Sequence, residues 1–260
     1  MPTLEHEAPR NLSPGAVRPD EGQPPMLRLD SVTAGYGGFN ILHGVSLEVR
    51  RSEIVSVLGP NGSGKSTVFK AVYGLIPVRS GEVRLGDADI SKSGPQELLR
   101  DGVAMVPQLS TVFPEMSVRD NLELGMYLVR DRKLVKQRVD DVFDLFPRLS
   151  ERRNQHAGLL SGGERRALEI GRSLMLDPKL VLMDEPSVGL SPILVKEVFE
   201  QLRELRDNAG ITFLLIEQNA RSALSMSDWG YVIERGRVTF SGTGQDLLGD
   251  EEVRRAFLGD

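Results

Sequence analysis

The chain has 260 residues, 40% of them hydrophobic and 27% charged, a composition that supports a buried core and excludes disorder of the whole chain. Its net charge of -5 gives no global basic field for nucleic acid, so we expect no nucleic-acid partner, and the lack of cysteine excludes disulfides and thiolate metal sites. The sequence has neither a run of about 20 apolar residues nor an apolar N-terminal segment, which predicts a cytoplasmic protein without spans or a secretory signal.

The first 25 residues differ in composition from the rest of the chain. They contain six of the fifteen prolines and show no hydrophobic periodicity, which predicts a disordered tail. From Met26 onwards we expect one folded domain, residues 26–260. Its first part contains strictly alternating runs such as VSLEV at 45–49, which predict an antiparallel β subdomain with one solvated face.

Continuous apolar runs follow that are too short for helices. They predict buried parallel strands of an α/β sheet at 54–58, 103–106, 180–183 and 211–216. Apolar residues at helical spacing predict helices at 118–128, 136–146, 164–175 and 193–206. Residues 90–175 are rich in helix, so we expect an α-helical subdomain inserted into the sheet domain.

Residues 59–66, GPNGSGKS, match the phosphate-loop pattern G-x-x-x-x-G-K-[ST] completely. The apolar run 54–58 precedes them and a helical stretch at 66–73 follows, which is the strand-loop-helix order that the chemistry needs. Glycines turn backbone N–H groups inward, and the helix N-terminus favours phosphate. Lys65 is expected against the terminal phosphates and the Ser66 hydroxyl on Mg²⁺. The alternative is a plain glycine-rich turn. The predicted nucleotide-binding residues here are Gly59, Asn61, Gly62, Ser63, Gly64, Lys65, Ser66 and Thr67.

A phosphate-loop enzyme also needs an acidic residue at the end of a second buried strand. Asp184 and Glu185 follow the apolar run 180–183. In the functional interpretation Asp184 supports the water shell of Mg²⁺, and Glu185 polarises the attacking water. The alternative is a pair of solvated loop carboxylates.

A third motif, LSGGE at 160–164, opens an amphipathic helix. Ser161 and Glu164 form the pattern S-x-x-E of a capping box, which needs no ligand. The glycines inside the first turn are nevertheless poor helix formers, costing up to ~1 kcal/mol each. We therefore expect a close approach to this backbone.

The order GPNGSGKST, then Gln108 after a strand, then LSGGE and then VLMDEP resembles the ATP-binding subunit of an ABC transporter, from Met26 to the end of the chain. The resemblance implies a P-loop NTPase core, with ATP and Mg²⁺ as cofactors. It implies that Tyr36 stacks on adenine, although a lone tyrosine beside glycines is more often a loop anchor. It also implies that Gln108 touches Mg²⁺ or water and senses the transmembrane partner.

In the family, the residues matching Ser161, Gly162 and Gly163 bind the γ-phosphate of ATP held by the opposite subunit. The resemblance therefore implies a site split between two chains. A helix N-terminus suits this role, because it is an anion-binding surface that can serve a facing phosphate loop. ATP would join two subunits, and hydrolysis would release them.

Gln218 departs from the general family pattern, which has a histidine there that contacts the γ-phosphate. Glutamine can donate a hydrogen bond but cannot become cationic, so the residues leave open whether this chain's own site hydrolyses ATP fully. The alternative is a helix-terminal residue that bonds its own backbone.

The string EQNA at 217–220 resembles the second ATPase subunit of branched-chain amino acid importers, as do LFPRL at 145–149 and PSVGLSP at 186–192. That resemblance implies a histidine-bearing sister subunit as partner, with a homodimer as the alternative. Importers for urea or short-chain amides use similar subunits.

The resemblance also implies membrane permease subunits, a solute-binding protein that acts indirectly, and a position on the inner face of the cell membrane. The loop 109–118 is unusually apolar, which is typical of a partner surface, although its side chains could instead pack on the helical subdomain.

A non-transport ABC ATPase of translation or DNA repair is the main alternative function, but these 260 residues show no second cassette, coiled coil or basic arms of the kind such proteins have. A third alternative is a nucleotide-binding regulatory module that does not hydrolyse ATP. Gln218 favours this alternative, whereas Glu185 argues against it.

Overall fold

The computed structural model describes residues 8–18 and 22–258. They fall into two compact units. The first unit comprises Met1–Ser93 and Ile216–Asp260, and the second comprises Gly94–Leu215.

Strands and helices alternate along most of the described chain. The strands are β1 (Arg10–Asn11), β2 (Leu27–Tyr36), β3 (Phe39–Val49), β4 (Ile54–Leu58), β5 (Val78–Leu85), β6 (Ala88–Asp89), β7 (Val103–Val106), β8 (Leu180–Asp184), β9 (Thr212–Ile216), β10 (Trp229–Glu234) and β11 (Arg237–Thr243). The helices are α1 (Lys65–Val72), α2 (Pro95–Arg100), α3 (Val118–Leu124), α4 (Arg132–Leu145), α5 (Pro147–Glu151), α6 (Gly162–Leu174), α7 (Pro192–Ala209), α8 (Ala220–Met226), α9 (Gly244–Gly249) and α10 (Glu251–Val253). None of the helices in the described ranges is both long and apolar enough to traverse a bilayer.

The first unit contains an antiparallel sheet in the order β3-β2-β5-β6. Along β3, Val45, Leu47 and Val49 are buried and Ser46 is exposed, so the predicted alternation is confirmed. A second group of strands lies in the order β1-β11-β10-β4, and β4 pairs with β10 in parallel. Every side chain of β4 is buried, and the strand leads through residues 59–64 into α1. The predicted strand-loop-helix order is confirmed.

The second unit contains β7 and β8, which pair in parallel with Val103 opposite Leu180. The predicted helices of this unit are present, with shifted ends. The helix α3 stops at Leu124, before the C-cap Gly125, whereas α4 begins earlier than predicted because Asp131 caps it through Lys133 N–H at 2.9 Å. The boundaries 90–175 for an inserted helical subdomain stay a prediction.

The N-terminal segment 8–18 is packed on the first unit, so the predicted disordered tail is wrong for this stretch. Arg10 and Asn11 form β1, which pairs in parallel with β11. The side chain of Leu12 packs against an apolar cluster that includes α8, and Ser13 is buried. Residues 1–7 and 19–21 of the predicted tail lie outside the described residues.

Arg18 anchors the end of this segment through an ion pair and an aromatic contact. Its guanidinium pairs with the carboxylate of Glu53, whose side chain is 1% exposed, and it also lies 4.6 Å from the centre of the Trp229 ring. Composition could not reveal these contacts, because single anchors separated by prolines leave no periodic pattern.

Candidate functional site

The loop between β4 and α1 depends on three glycines with positive φ. Gly59, Gly62 and Gly64 have φ of 148°, 79° and 107°. A Cβ on Gly59 would lie 2.1 Å from the carbonyl oxygen of Ile233, so a side chain has no room there. Because the N-cap of α1 is Gly64, no side chain caps this helix. Its first N–H groups therefore need another acceptor, and phosphate oxygens can fill that role.

Two buried polar side chains line this loop. Lys65 Nζ donates to the carbonyl oxygens of Gly59, at 2.7 Å, and Pro60, at 3.0 Å. Ser63 Oγ is buried and has no hydrogen-bond partner within the part of the chain that the structure describes. An unsatisfied hydroxyl costs about 1–3 kcal/mol, which a phosphate oxygen within reach would recover. The residues present therefore fit a phosphate chain.

The other predicted residues of the loop differ in exposure. Asn61 and Ser66 are exposed, so a nucleotide and its metal ion can reach them from solvent. Thr67 is buried in the first turn of α1.

A hairpin turn supports the phosphate loop and was missed by the sequence analysis. Gly236, between β10 and β11, donates its N–H to the carbonyl oxygen of Ser63 at 2.8 Å. Its φ is 75°, and a Cβ there would lie 1.8 Å from the carbonyl oxygen of Ile41. The available signal was a glycine between two β-rich runs, which predicts a turn but not the loop that the turn contacts.

Tyr36 lies at the end of β2 in the first unit. The residue is 44% exposed, and Lys70 Nζ lies 5.4 Å from the centre of its ring. Phe39, paired with Tyr36 in register, is 79% exposed and is a second aromatic side chain that could stack on a base.

Gln218 also lies in the first unit, two residues after Ile216, the last residue of β9. The N–H of the preceding Glu217 donates to the carbonyl oxygen of Val57 at 3.4 Å, which places this chain segment beside β4, the strand that enters the phosphate loop. The Gln218 side chain is exposed, and it makes no hydrogen bond to any residue of the described ranges 8–18 and 22–258. Asn219 caps α8 instead, accepting from Ser222 N–H at 3.2 Å. The alternative in which Gln218 bonds its own backbone is therefore wrong.

In the second unit, the predicted acids stand at the end of β8. Asp184 is its last residue, and Glu185 follows with φ of 48°, an uncommon backbone conformation for a residue other than glycine. Gln108 Nε2 donates to Glu185 Oε2 at 2.7 Å. Two residues that the sequence places 77 apart are thus in direct contact, and Glu185 is not a freely solvated carboxylate.

The loop after Gln108 is held by a residue that the sequence analysis missed. Asn121, fully buried in α3, accepts from Phe113 N–H at 2.8 Å and donates to the Phe113 carbonyl oxygen at 2.9 Å. The Phe113 side chain is 49% exposed, and the Arg172 guanidinium lies 6.0 Å from its ring centre. A polar residue on the buried face of a predicted helix was the available signal.

The start of α6 forms the predicted capping box. Glu164 N–H donates to Ser161 Oγ at 3.3 Å, and Ser161 N–H donates to Glu164 Oε2 at 2.9 Å. Burial opposes ionisation of Glu164, but these Ser161 contacts and the charge of Arg152 hold the pKa of the carboxyl below its usual value. The cap is therefore present, whether or not a phosphate also binds here.

The glycines of this turn are closely approached by side chains of the same unit. A Cβ on Gly162 would lie 3.3 Å from Leu190 Cδ2, and one on Gly163 would lie 2.7 Å from Leu194 Cδ2. The expected close approach is thus made within the chain by flexible leucine tips. A role for these glycines toward a facing nucleotide stays a prediction.

The model of the family described as "ABC transporter" matches residues 42–188, more than half of the chain. The chain belongs to the ABC transporter family. An ABC ATPase binds and hydrolyses ATP, and the phosphate loop described above has the glycine geometry and the unsatisfied serine hydroxyl for that nucleotide.

Curated relatives of this ABC ATPase match it along nearly their whole length. The high-affinity branched-chain amino acid transport ATP-binding protein BraG of Pseudomonas aeruginosa is 42% identical over 90% of this chain and 100% of its own. A probable branched-chain amino acid transport ATP-binding protein, LivF of Archaeoglobus fulgidus, is 39% identical over 90% and 99%. The lipopolysaccharide export system ATP-binding protein LptB of Escherichia coli is 36% identical over 90% and 97%.

Solved structures of ATP-binding cassettes share the fold. The ADP conformation of MJ1267, an ATP-binding cassette of an ABC transporter, has a TM-score of 0.81 and 31% identity, covering 90% of this chain and 99% of that chain. The cbiO1 protein of Clostridium perfringens has a TM-score of 0.82 at 26% identity, with 90% and 94% covered. The predicted α/β class with a P-loop NTPase core is confirmed.

Proposed function

We propose that this ABC ATPase powers an importer of branched-chain amino acids. The inference about the transported substrate rests on one observation. The chain matches two proteins named for branched-chain amino acid transport over nearly their full length, at 42% and 39% identity. The similarity to the lipopolysaccharide export protein is lower, at 36%.

In the proposed reaction, Glu185 polarises the water that attacks the γ-phosphate, and Lys65 neutralises charge on the terminal phosphates. The contact between Gln108 and Glu185 supports this assignment, because it holds one carboxylate oxygen in a fixed place at the end of β8. Gln218 contributes its amide as a hydrogen-bond donor to the γ-phosphate. Tyr36 stacks on the adenine.

A bound Mg²⁺ would supply charge neutralisation between the phosphates. Ser66, Asp184 and Gln108 are the side chains we assign to hold it or its water shell. Their oxygen donors suit a small hard cation that prefers one or two carboxylates and several waters.

We propose that Ser161, Gly162 and Gly163 receive the γ-phosphate of a nucleotide bound by a facing ATPase subunit. Their position at the N-terminus of the thirteen-residue helix α6 supports this role, because the helix dipole favours an anion there. The facing subunit is a sister ATPase, with a second copy of this chain as the alternative. Both subunits would dock on membrane permease subunits at the inner face of the cell membrane and receive cargo indirectly from a solute-binding protein.

The test is ATP turnover by the chain reconstituted with its permease, sister subunit and binding protein in lipid vesicles. We expect leucine, isoleucine or valine with the binding protein to stimulate turnover, and Glu185→Gln to abolish it while ATP still binds. Stimulation by urea or a short-chain amide alone, or by lipopolysaccharide, would show that the proposed cargo is wrong. Full turnover of Glu185→Gln would show that the assigned base is wrong.

A further inference from the structure

A buried ion pair on α6 lies between the two segments that carry Gln108 and Glu185. Arg166 Nη1 donates to Glu169 Oε2 at 2.8 Å, and the two side chains are only 7% and 4% exposed. Stability does not explain such a pair, because burying two charges costs about as much solvation as their attraction returns, and apolar replacements are often neutral.

Each side chain of the pair also makes a hydrogen bond to a loop, and the two loops are different. Glu169 Oε1 accepts from the backbone N–H of Thr111, three residues after Gln108, at 3.3 Å. Arg166 Nη2 reaches the carbonyl oxygen of Glu185 at 3.5 Å. The Gln108–Glu185 contact at 2.7 Å then joins the two loops directly. These contacts form a closed circuit from Glu185 through Arg166, Glu169, Thr111 and Gln108 back to Glu185.

Resting on the proposed function of Glu185, we propose that Arg166 and Glu169 are positioning residues for ATP hydrolysis. Arg166 fixes the backbone from which Glu185 projects, and Glu169 fixes the loop from which Gln108 projects. Because Glu185 has a positive φ, its backbone is strained and needs support from its surroundings. The ion pair keeps the two loops at a fixed distance from each other, so the Glu185 carboxylate and the Gln108 amide keep a constant relative position.

The first experiment removes both charges at once. The full-length double variant Arg166→Met/Glu169→Met leaves no uncompensated buried charge, so we expect its thermal unfolding midpoint to stay within a few degrees of wild type. We expect kcat for ATP to fall at least about tenfold, because small displacements of a catalytic group cost about that much or more, with KM changed less than about twofold. An unchanged kcat, or a rise in KM alone, would overturn the proposal.

The second experiment keeps the ion pair and breaks the circuit. In Arg166→Glu/Glu169→Arg the charges are exchanged, so residue 169 can no longer accept from Thr111 and residue 166 can no longer donate to Glu185. A purely structural pair predicts recovery of kcat, whereas a positioning pair predicts that kcat stays low despite normal unfolding. Recovery to the wild-type kcat would overturn the proposal.

A matched control is the pair Arg138 and Asp141 on α4, which has the same i,i+3 spacing at 3.6 Å but side chains that are 30% and 47% exposed. Arg138 also pairs with the exposed Asp177 at 2.8 Å, so the control removes two solvent-accessible pairs. Replacing both by Met is expected to leave kcat unchanged. If the buried double variants do not fold, Arg166→Lys replaces them: it keeps a cation beside Glu169 but lacks the second nitrogen that reaches the Glu185 carbonyl oxygen, and we expect kcat to fall at least about threefold. An unchanged kcat there would overturn the proposal.

Glu185→Gln is measured in parallel. Loss of turnover in Glu185→Gln with normal turnover in the pair variants would contradict only the positioning role. Normal turnover in Glu185→Gln would contradict the assigned base itself.

Discussion

Gln218 is an exposed amide at the end of β9, with the neighbouring Asn219 already serving as the helix cap. A side chain without a local structural task can be changed with little effect on folding. We therefore expect Gln218→His to keep ATP affinity and to preserve or raise turnover, because an imidazole can contact the γ-phosphate and also carry charge.

We expect Gln218→Ala to lower turnover with unchanged thermal stability, as measured by steady-state ATPase assays and thermal unfolding. Gln137→Ala, at an exposed position of α4, is the matched control. Turnover and nucleotide affinity of Gln218→Ala equal to those of wild type would remove Gln218 from the site.

At the scale of elements, the start of α6 has a structural role and a proposed functional role that substitution can separate. Ser161→Asp keeps a good N-cap, so the free energy of unfolding should stay close to that of wild type, whereas Ser161→Ala should lose about 1 kcal/mol. An added carboxylate would repel a facing γ-phosphate, so we expect Ser161→Asp to lower turnover at least about tenfold.

The chain offers a matched control in Ser117, which caps α3 through the same kind of box with Asp120. Ser117→Asp should leave turnover unchanged. If Ser161→Asp behaved like Ser117→Asp in the ATPase assay, Ser161 would be a cap alone.

The N-terminal segment is the second element with a measurable consequence. Arg18→Ala would leave the carboxylate of Glu53, 1% exposed, without its guanidinium. We expect the free energy of unfolding to fall by about 3 kcal/mol, as for other buried pairs that lose one partner, measured by denaturant unfolding. Arg10→Ala removes pairs with Glu252 at 3.1 Å and Asp250 at 3.4 Å, but the Arg10 side chain is itself 58% exposed, so the loss should be about 1 kcal/mol or less. Equal losses for the two variants would contradict the anchoring role of Arg18.

For the whole assembly, Phe113 tests the proposed coupling to a permease. The loop is fixed by Asn121 while the Phe113 ring remains about half exposed, so a charge there should disturb a partner more than the fold. We expect Phe113→Asp to keep ATP affinity and abolish cargo-stimulated turnover in vesicles. Leu145→Asp, at a residue 43% exposed, should retain stimulation. Retained stimulation in Phe113→Asp would place the docking surface elsewhere.

The sequence could predict those parts of the molecule in which a short stretch of residues determines its own local structure. The buried run at β4 and the glycine pattern at 59–64 specify strand, loop and helix within one short stretch. The contacts of Arg18 with Glu53 and of Gly236 with Ser63 join distant segments through single residues, so no periodicity reports them. The glycines at 162 and 163 indicated a close approach, but the structure was needed to identify Leu190 and Leu194 as the side chains that make it.

The two-residue strand β1 lies along the outer side of β11, and the next residue, Leu12, donates its N–H to the Ser241 carbonyl oxygen at 2.8 Å. The backbone N–H and C=O groups on this side of β11 are thereby partly paired. An unpaired edge strand can bind the backbone of another polypeptide and start amyloid-like aggregation. We therefore expect residues 10–12 to keep this part of β11 from pairing with another chain, although they belong to a proline-rich stretch whose composition resembles that of a linker.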